Sequence, residues 1–287
     1  MLLREVAYCR PVNVEDALAV LREHPGARPL AGGQTLINVL KLRAASVDAL
    51  VDISELEELR FIRRSSDGGL EIGACVTYDE LEHSEEVGEA VPILAEVATH
   101  TVDQQVRNRG TIGGNCCFND PASNFPPLLV ALGATMGVAS GDGGREIPAE
   151  EFFIGHFHTA VDRGELLRSV SIPPLDRHTG VGYSSLLLGP DSWAIARAAA
   201  WVRADASVEE ARVVLGCVAP RPLRLRALEE RLRGAPANAP VEPPSAAELE
   251  GVDPVGDMHG SPEYRRELAA VMAVRAVQEA IDRRAGP

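Results

Sequence analysis

The sequence TIGGN at residues 111–115 has a counterpart in AGGQT at residues 31–35, and each stretch stands where an apolar, strand-like run ends. Paired glycines at such points let the backbone turn sharply and present successive N–H groups to an anion such as phosphate. Neither stretch matches GxGxxG or GxxxxGK(S/T), which disfavours a Rossmann site and a P-loop. One Gly-Gly alone is usually an ordinary turn. Two of them predict a pair of loops that close on one dinucleotide pyrophosphate.

The overall composition excludes some classes of function. The 287 residues are 45% hydrophobic and 24% charged, as in globular proteins, and are numerous enough for two or three domains. The formal net charge of −14 argues against nucleic acid as a partner, because phosphate backbones require a basic face. No apolar run approaches the ~18 residues of a membrane span. The N-terminal Met-Leu-Leu is followed at once by Arg4 and Glu5, which predicts no signal peptide.

The cysteines indicate a reduced setting. They form no CxxC spacing, which disfavours zinc or iron–sulfur ligation within this chain. A reduced cytoplasmic location is the simplest interpretation of an odd number of cysteines. They are Cys9, Cys75, Cys116, Cys117 and Cys217.

The order of predicted elements indicates an α+β protein. We expect a capped helix from Asn13 to about His24, a strand over 69–77 followed by a helix that Thr77 caps, and a helix over 126–132. Later in the chain the patterns predict a helix over 223–232 and a long amphipathic helix over 263–283. The predicted core face of that last helix is Tyr264, Leu268, Val271, Val274, Val277 and Ile281.

Several further segments resemble one known family. The TIGGN stretch is followed by NDPASNFPPLL at 119–129, and AGGQT continues into Leu36. Further matching segments are DSWA at 191–194, GCVAPRP at 216–222 and YRR at 264–266. Together they resemble the FAD-binding medium subunit of the molybdenum hydroxylases, a family that includes carbon monoxide dehydrogenase, xanthine dehydrogenase and the N-heteroaromatic dehydrogenases. The resemblance extends over nearly the whole chain.

The resemblance implies a fold and a cofactor site. The fold would be α+β, with a two-subdomain FAD-binding domain of the vanillyl-alcohol-oxidase type over 1–55 and 56–176, followed by a small α+β C-terminal domain over 177–287. No catalytic or metal-binding residue is predicted in this chain. The positions that match the family's FAD contacts are Leu30, Ala31, Gly32, Gly33, Gln34, Thr35, Leu36, Ile37, Thr101, Thr111, Ile112, Gly113, Gly114, Asn115, Asp120, Asn124 and Leu167.

The resemblance also implies an electron-transfer role. The flavin would accept electrons from the 2Fe-2S clusters of a small partner subunit and pass them to an external acceptor. Molybdopterin would be bound by a large partner subunit, and the complex would be a dimer of heterotrimers. The expected location is cytoplasmic, or peripheral at the inner membrane face if the acceptor is a quinone. The substrate of the large subunit and the identity of the acceptor stay open.

Two positions depart from the family pattern. Relatives often have Asp where this chain has Asn124, whose amide can still accept hydrogen bonds but has no charge. Many relatives also have basic residues in the strand before DSWA, whereas this chain has YSSLLLGP at 183–190. Because a cation near the flavin stabilises its reduced, anionic form, we expect this second change to lower the flavin potential.

The residues leave some alternatives open. Asp120 could bond a ribose or flavin hydroxyl, or could instead cap the turn at Pro121. The chain could be a self-contained flavin oxidoreductase of the vanillyl-alcohol-oxidase type, although the C-terminal domain is small for a substrate cap. It could also be a structural subunit that has lost FAD, which Asn124 and the stretch 186–188 would explain.

Overall fold

The computed structural model describes residues 3–101, 103–189 and 192–284. The chain forms two compact units. The first unit is drawn from Met1–Phe118, Thr135–Phe152 and Phe157–Ser171, and the second from Asn119–Ala134, Phe153–His156 and Ile172–Pro287. The predicted three-part division at 1–55, 56–176 and 177–287 stays a prediction. No helix of the described residues is both long and apolar enough to cross a membrane.

The described residues form a mixture of strands and helices, as the sequence predicts. The strands are β1 (Ala7–Cys9), β2 (Ala27–Leu30), β3 (Ala49–Asp52), β4 (Ile62–Arg64), β5 (Leu70–Gly73), β6 (Thr135–Ser140), β7 (Gly143–Pro148), β8 (Phe153–Gly155), β9 (His158–Thr159), β10 (Leu166–Ile172), β11 (Thr179–Leu187), β12 (Ala194–Ala204), β13 (Val208–Gly216) and β14 (Leu223–Arg224). The helices are α1 (Val14–Glu23), α2 (Leu36–Lys41), α3 (Tyr78–His83), α4 (Glu85–Ala90), α5 (Pro92–Thr99), α6 (Gln104–Arg107), α7 (Ile112–Phe118), α8 (Phe125–Leu132), α9 (Ala149–Phe152), α10 (Arg226–Leu232) and α11 (Pro262–Asp282).

The first unit contains two sheets. A parallel sheet has the order β1-β3-β2, and a larger sheet has the order β4-β5-β10-β6-β7. Helix α1 begins where Asn13 Oδ1 accepts the Asp16 N–H at 2.7 Å, so the predicted capped helix is confirmed. Its apolar side chains, including Leu18 and Leu21, are buried in the core around β2 and β3. The first glycine stretch therefore follows a strand whose sheet is fixed by packing.

A capping box begins helix α3, next to the second glycine stretch in space. Thr77 Oγ1 accepts the N–H of Glu80 at 3.1 Å, and Glu80 accepts the backbone N–H of Thr77 at 2.7 Å. The predicted cap at Thr77 is thus confirmed. A bridge pairs Thr77 with Thr111, which ties the start of α3 to the start of the TIGGN stretch.

The second unit contains an antiparallel sheet, with the order β11-β12-β13-β14, against which α11 packs. The predicted core face of α11 is partly wrong. Val277 and Ile281 are buried, but Tyr264 and Val271 are 45% and 42% exposed. The face that meets the sheet is instead rich in alanine, because the helix approaches so closely that a Cβ on Gly182 of β11 would overlap its backbone.

Other boundaries also differ from the sequence prediction. The predicted helix over 223–232 begins only at Arg226, because Leu223 and Arg224 pair with β13 as an edge strand. The predicted strand over 69–77 ends at Gly73. Helix α8 confirms the prediction for 126–132 and ends at Gly133, whose φ of 67° suits a helix C-cap. In the DSWA segment, Asp191 lies outside the described residues, as does Pro190.

Candidate functional site

The first glycine loop, residues 31–35, joins β2 to α2 and is half-buried. A Cβ on Gly32 would overlap the carbonyl oxygen of Arg109 and lie 3.1 Å from the Cα of Gly110. These two residues immediately precede the TIGGN stretch. The two predicted loops are therefore brought together inside the first unit, and only glycine at position 32 permits the contact.

The hydrogen bonding of the first loop suits the predicted anion cradle. The backbone N–H groups of residues 31–35 have no partner in the described part of the chain, although the carbonyls of Gly33 and Thr35 accept helical bonds from Ile37 and Val39. Gly33 has a φ of 73°, a conformation that side chains disfavour. A run of unpaired N–H groups in a half-buried loop is suited to phosphate oxygens. Anion binding by this loop stays a prediction.

The second loop behaves differently from the prediction. Its N–H groups are already bonded within the unit: Ile112 donates to the carbonyl of Val76 at 3.0 Å and Gly113 donates to that of Ala74 at 2.9 Å. The next two N–H groups bond to Thr111, whose Oγ1 accepts from Gly114 at 3.0 Å. The expectation that both loops present N–H groups to an anion is therefore wrong for 112–115. These bonds instead fix the start of α7 against the end of β5.

Asn115 supplies a polar group that lacks a partner. Its Oδ1 is buried and accepts no hydrogen bond within the described residues. Its side chain hydrogen-bonds with Tyr78, whose ring lies 2.6 Å from the position of a Cβ on Gly110. Burial raises the pKa of the Tyr78 phenol, which is therefore neutral. A bound molecule with a hydroxyl or N–H donor would satisfy the Asn115 acceptor.

Tyr78, Arg109 and Gly110 were not found by sequence reasoning. The sequence contains a weak signal for two of them, since Arg109 and Gly110 directly precede TIGGN. Tyr78 gave no signal beyond its place at the start of a capped helix, because its contact with the loop depends on the tertiary fold.

Two other predicted site residues lie in the interior of the first unit. Thr101 is 7% exposed and its hydroxyl donates to the Val97 carbonyl at 3.4 Å, at the end of α5. Leu167 is 4% exposed and pairs with Val138 across β10 and β6, beside a register shift. A contact of either residue with a cofactor stays a prediction.

Asp120 and Asn124 belong to the second unit. The Asp120 carboxylate accepts the N–H of Ala122 at 2.8 Å, and its carbonyl accepts the N–H of Ser123 at 2.8 Å. This is the turn-capping role that the sequence left open, and a bond to a cofactor hydroxyl stays a prediction. Asn124 directly precedes α8. Its Oδ1 accepts a hydrogen bond from Arg197, and its carbonyl accepts one from the Tyr183 hydroxyl at 3.1 Å.

The strand expected to lack basic residues is β11, and its described continuation reaches Gly189. Leu187 and Leu188 are 37% and 56% exposed there. The neighbouring strand β12, however, contains Arg197, which is 2% exposed and which sequence reasoning missed. The sequence around Arg197 is rich in alanine and does not indicate which side chains Arg197 contacts in the fold.

Comparison with known proteins shows two matching families. The family described as "FAD binding domain in molybdopterin dehydrogenase" matches residues 4–175, and "CO dehydrogenase flavoprotein C-terminal domain" matches residues 189–280.

Curated relatives match over nearly their full lengths. The glyceraldehyde dehydrogenase medium chain of Sulfolobus acidocaldarius is 35% identical over 96% of this chain and 98% of its own. The carbon monoxide dehydrogenase medium chain of Hydrogenophaga pseudoflava is 34% identical over 95% of this chain and 96% of its own.

Solved structures agree with these matches. A structure of Cu,Mo-CO dehydrogenase in its cyanide-inactivated form has a chain with a TM-score of 0.93 and 33% identity, over 99% of this chain and 100% of that chain. A chain of quinoline 2-oxidoreductase from Pseudomonas putida 86 has a TM-score of 0.90 and 32% identity, over 98% and 99% of the two chains.

Proposed function

The chain belongs to the family of FAD-binding domains of molybdopterin dehydrogenases, and from that premise we propose that it transfers electrons within a molybdenum hydroxylase complex. Family membership confirms the resemblance read from the sequence, the α+β fold class and FAD as the cofactor. The chain is thus an oxidoreductase flavoprotein subunit.

The proposed partners are a large subunit that binds molybdopterin and a small subunit with 2Fe-2S clusters, assembled as a dimer of heterotrimers. Support comes from relatives that are named medium chains or medium subunits. Electrons would arrive from the small subunit and leave to an external acceptor. FAD is suited to this step because flavin chemistry includes one-electron and two-electron transfer. We also propose a cytoplasmic location, in keeping with five cysteines that are all unpaired.

The first glycine loop is the observation that best supports the proposal. It presents backbone N–H groups that have no partner among the described residues, in a chain of net charge −14, so it can offset pyrophosphate charge without basic side chains. We propose that residues 30–37 bind the pyrophosphate and ribityl region. The second loop, 111–115, would close the other side chiefly through the Asn115 acceptor. Thr101, Asp120, Asn124 and Leu167 complete the proposed contacts.

The first experiment is the visible absorption of the purified full chain, followed by release of any chromophore with acid. We expect flavin bands at about 370 and 450 nm and non-covalent FAD in the supernatant. A folded protein that stays colourless after incubation with FAD would contradict the proposal. That result would favour the alternative of a structural subunit that has lost its cofactor.

A second experiment separates electron relay from the alternative of a self-contained flavin oxidoreductase. The FAD-loaded chain is mixed anaerobically with candidate substrates of the complex, with and without the partner subunits. We expect flavin bleaching only when the partners are present. Bleaching of the isolated chain by a small substrate would show that it has its own substrate site and would overturn the relay proposal.

A further inference from the structure

Arg197 is a buried cation without a buried anion. Its side chain extends from β12, and its Nη1 donates to Asn124 Oδ1 and, over 2.8 Å, to the Tyr183 hydroxyl. The guanidinium also hydrogen-bonds with the Cys217 thiol, while its Nε is buried without a partner in the described structure. No ion pair links Arg197 to a carboxylate of the described residues.

The cluster formed by these four side chains has a net charge of +1. Arginine stays protonated throughout the physiological range. Burial raises the pKa of Tyr183 to about 12 and also raises the pKa of Cys217, so the phenol and the thiol are neutral. Asp120 acts on Cys217 electrostatically, but its carboxylate bonds to the N–H of Ala122. An unpaired buried charge is expensive, so its presence calls for an explanation.

The fold provides a slot for this arginine. Gly216 of β13 pairs directly with Arg197 in the sheet register. A Cβ at position 216 would lie 2.8 Å from Arg197 Cγ and 3.1 Å from the ring of Pro127 in α8. Because glycine has no side chain, the aliphatic part of Arg197 can pass between the sheet and α8. The guanidinium then lies against Asn124 at the start of that helix.

We propose that Arg197 is a positioning residue for FAD. Its guanidinium fixes the amide of Asn124 and places an uncompensated positive charge on the far side of that amide from the cofactor. Since Oδ1 accepts from Arg197, the Nδ2 group of the planar amide is turned away from the guanidinium. The positive charge favours the reduced, anionic flavin over the oxidised one. It offsets the lower potential that the sequence of β11 alone suggests. The inference rests on the proposed function, through the predicted contact of Asn124 with FAD.

The test is the midpoint potential of bound FAD in the full chain, measured by titration with dyes of known potential. Asn124→Asp puts a carboxylate against Arg197, and Arg197→Met removes the charge. For each variant we expect about a tenfold loss in the preference for reduced over oxidised FAD, which for a two-electron couple is a potential lower by about 30 mV.

A matched control is Arg212→Met. Arg212 contacts the opposite end of α8, where its Nη1 donates to the Ala131 carbonyl at 3.3 Å, and it stacks over Trp201. Its loss should change the urea midpoint of unfolding but leave the potential unchanged. If Arg197→Met does not fold, Asn124→Asp keeps the test decisive, because its side chain has nearly the same shape.

The outcomes separate the two proposals. FAD bound at equal potentials in wild type, Asn124→Asp and any folded Arg197→Met overturns the role of Arg197 and leaves the proposed function standing. A wild-type chain that binds no FAD overturns the proposed function, and the inference with it.

Discussion

The glycine loop at 31–35 and the cluster around Arg197 both deal with a charge that is partly removed from water, but they do so in opposite ways. The loop has no charged side chain and presents backbone N–H groups that have no partner among the described residues. The cluster surrounds one formal charge with neutral side chains and buries it. Backbone dipoles can stabilise an anion that arrives and leaves. A buried arginine is a permanent charge that acts on whatever lies next to it.

The two regions also differ in how they use glycine. At Gly32 the missing side chain brings two loops of the first unit together. In the second unit, the missing side chain at Gly182 lets α11 approach the sheet, and that at Gly216 makes room for the side chain of Arg197. A methyl group at position 32 should therefore affect the ligand site, and one at position 182 should affect folding. Four predictions test this contrast, from the largest expected effect to the smallest.

Gly182→Ala should have the largest effect on stability. The added Cβ would lie 2.7 Å from the backbone nitrogen of Ala280 and closer still to the carbonyl oxygen of Ala276. Neither backbone atom can move without shifting α11, so we expect a loss of about 3 kcal/mol in the free energy of unfolding. Urea denaturation of the full chain measures it. Gly189→Ala is the matched control, because nothing lies within 4 Å of its added Cβ; equal midpoints in the two variants would contradict the packing argument.

Gly32→Ala should weaken FAD binding about 100-fold, or about 2.7 kcal/mol, because its Cβ would displace the backbone at Arg109 and open the paired loops. Titration of the FAD-free chain with FAD, followed by flavin fluorescence, gives the dissociation constant. The same change at Gly88 of α4 meets nothing within 4 Å and should leave FAD affinity as it is. Wild-type affinity in Gly32→Ala would mean that the loops need not touch in order to bind.

The contrast also explains which features the sequence could predict. The two glycine stretches, the cap at Thr77 and the helix that ends at Gly133 are local patterns, and a few neighbouring residues determine each of them. The hydrogen bonds that use up the N–H groups of 112 and 113 come from residues 74 and 76, which only the fold brings near.

Long-range register accounts for the other failures. Arg197 reaches Asn124 only because β13 places a glycine opposite it. The core face of α11 was misjudged because hydrophobic periodicity favours large residues, whereas close packing on β11 selects alanine.

Asn115→Leu should weaken FAD binding about tenfold, close to 1.4 kcal/mol, since it removes the buried acceptor that we expect a cofactor donor to satisfy. Tyr78→Phe is the matched control, because it breaks the same Tyr78–Asn115 hydrogen bond but keeps that acceptor. Both variants should lose about 1 kcal/mol of unfolding free energy. Only the Asn115 variant should lose affinity, and equal losses of affinity would assign Asn115 a purely structural role.

Glu80→Gln should have the smallest effect on stability. It tests a charge that titrates, in contrast to the permanent charge of Arg197. Burial opposes ionisation of Glu80, but hydrogen bonds from Thr77 and from Arg60 outweigh it and hold its pKa below the ordinary value of 4.5. A carboxyl with a lowered pKa in the folded state adds stability above its unfolded pKa. That stability is lost as the pH falls through the folded value.

The stability advantage of the wild type over Glu80→Gln should therefore be full at pH 6 and should shrink as the pH falls below 4.5. Urea midpoints for both proteins at a series of pH values measure it. The glutamine keeps an oxygen for the Thr77 N–H, so the variant should still cap α3 and should fold. If the urea midpoints of the two proteins changed with pH in the same way, these hydrogen bonds would not stabilise the ionised carboxylate of Glu80. Arg197→Met serves as the contrast, since arginine stays protonated and methionine has no titratable group, so its stability difference from the wild type should not vary with pH.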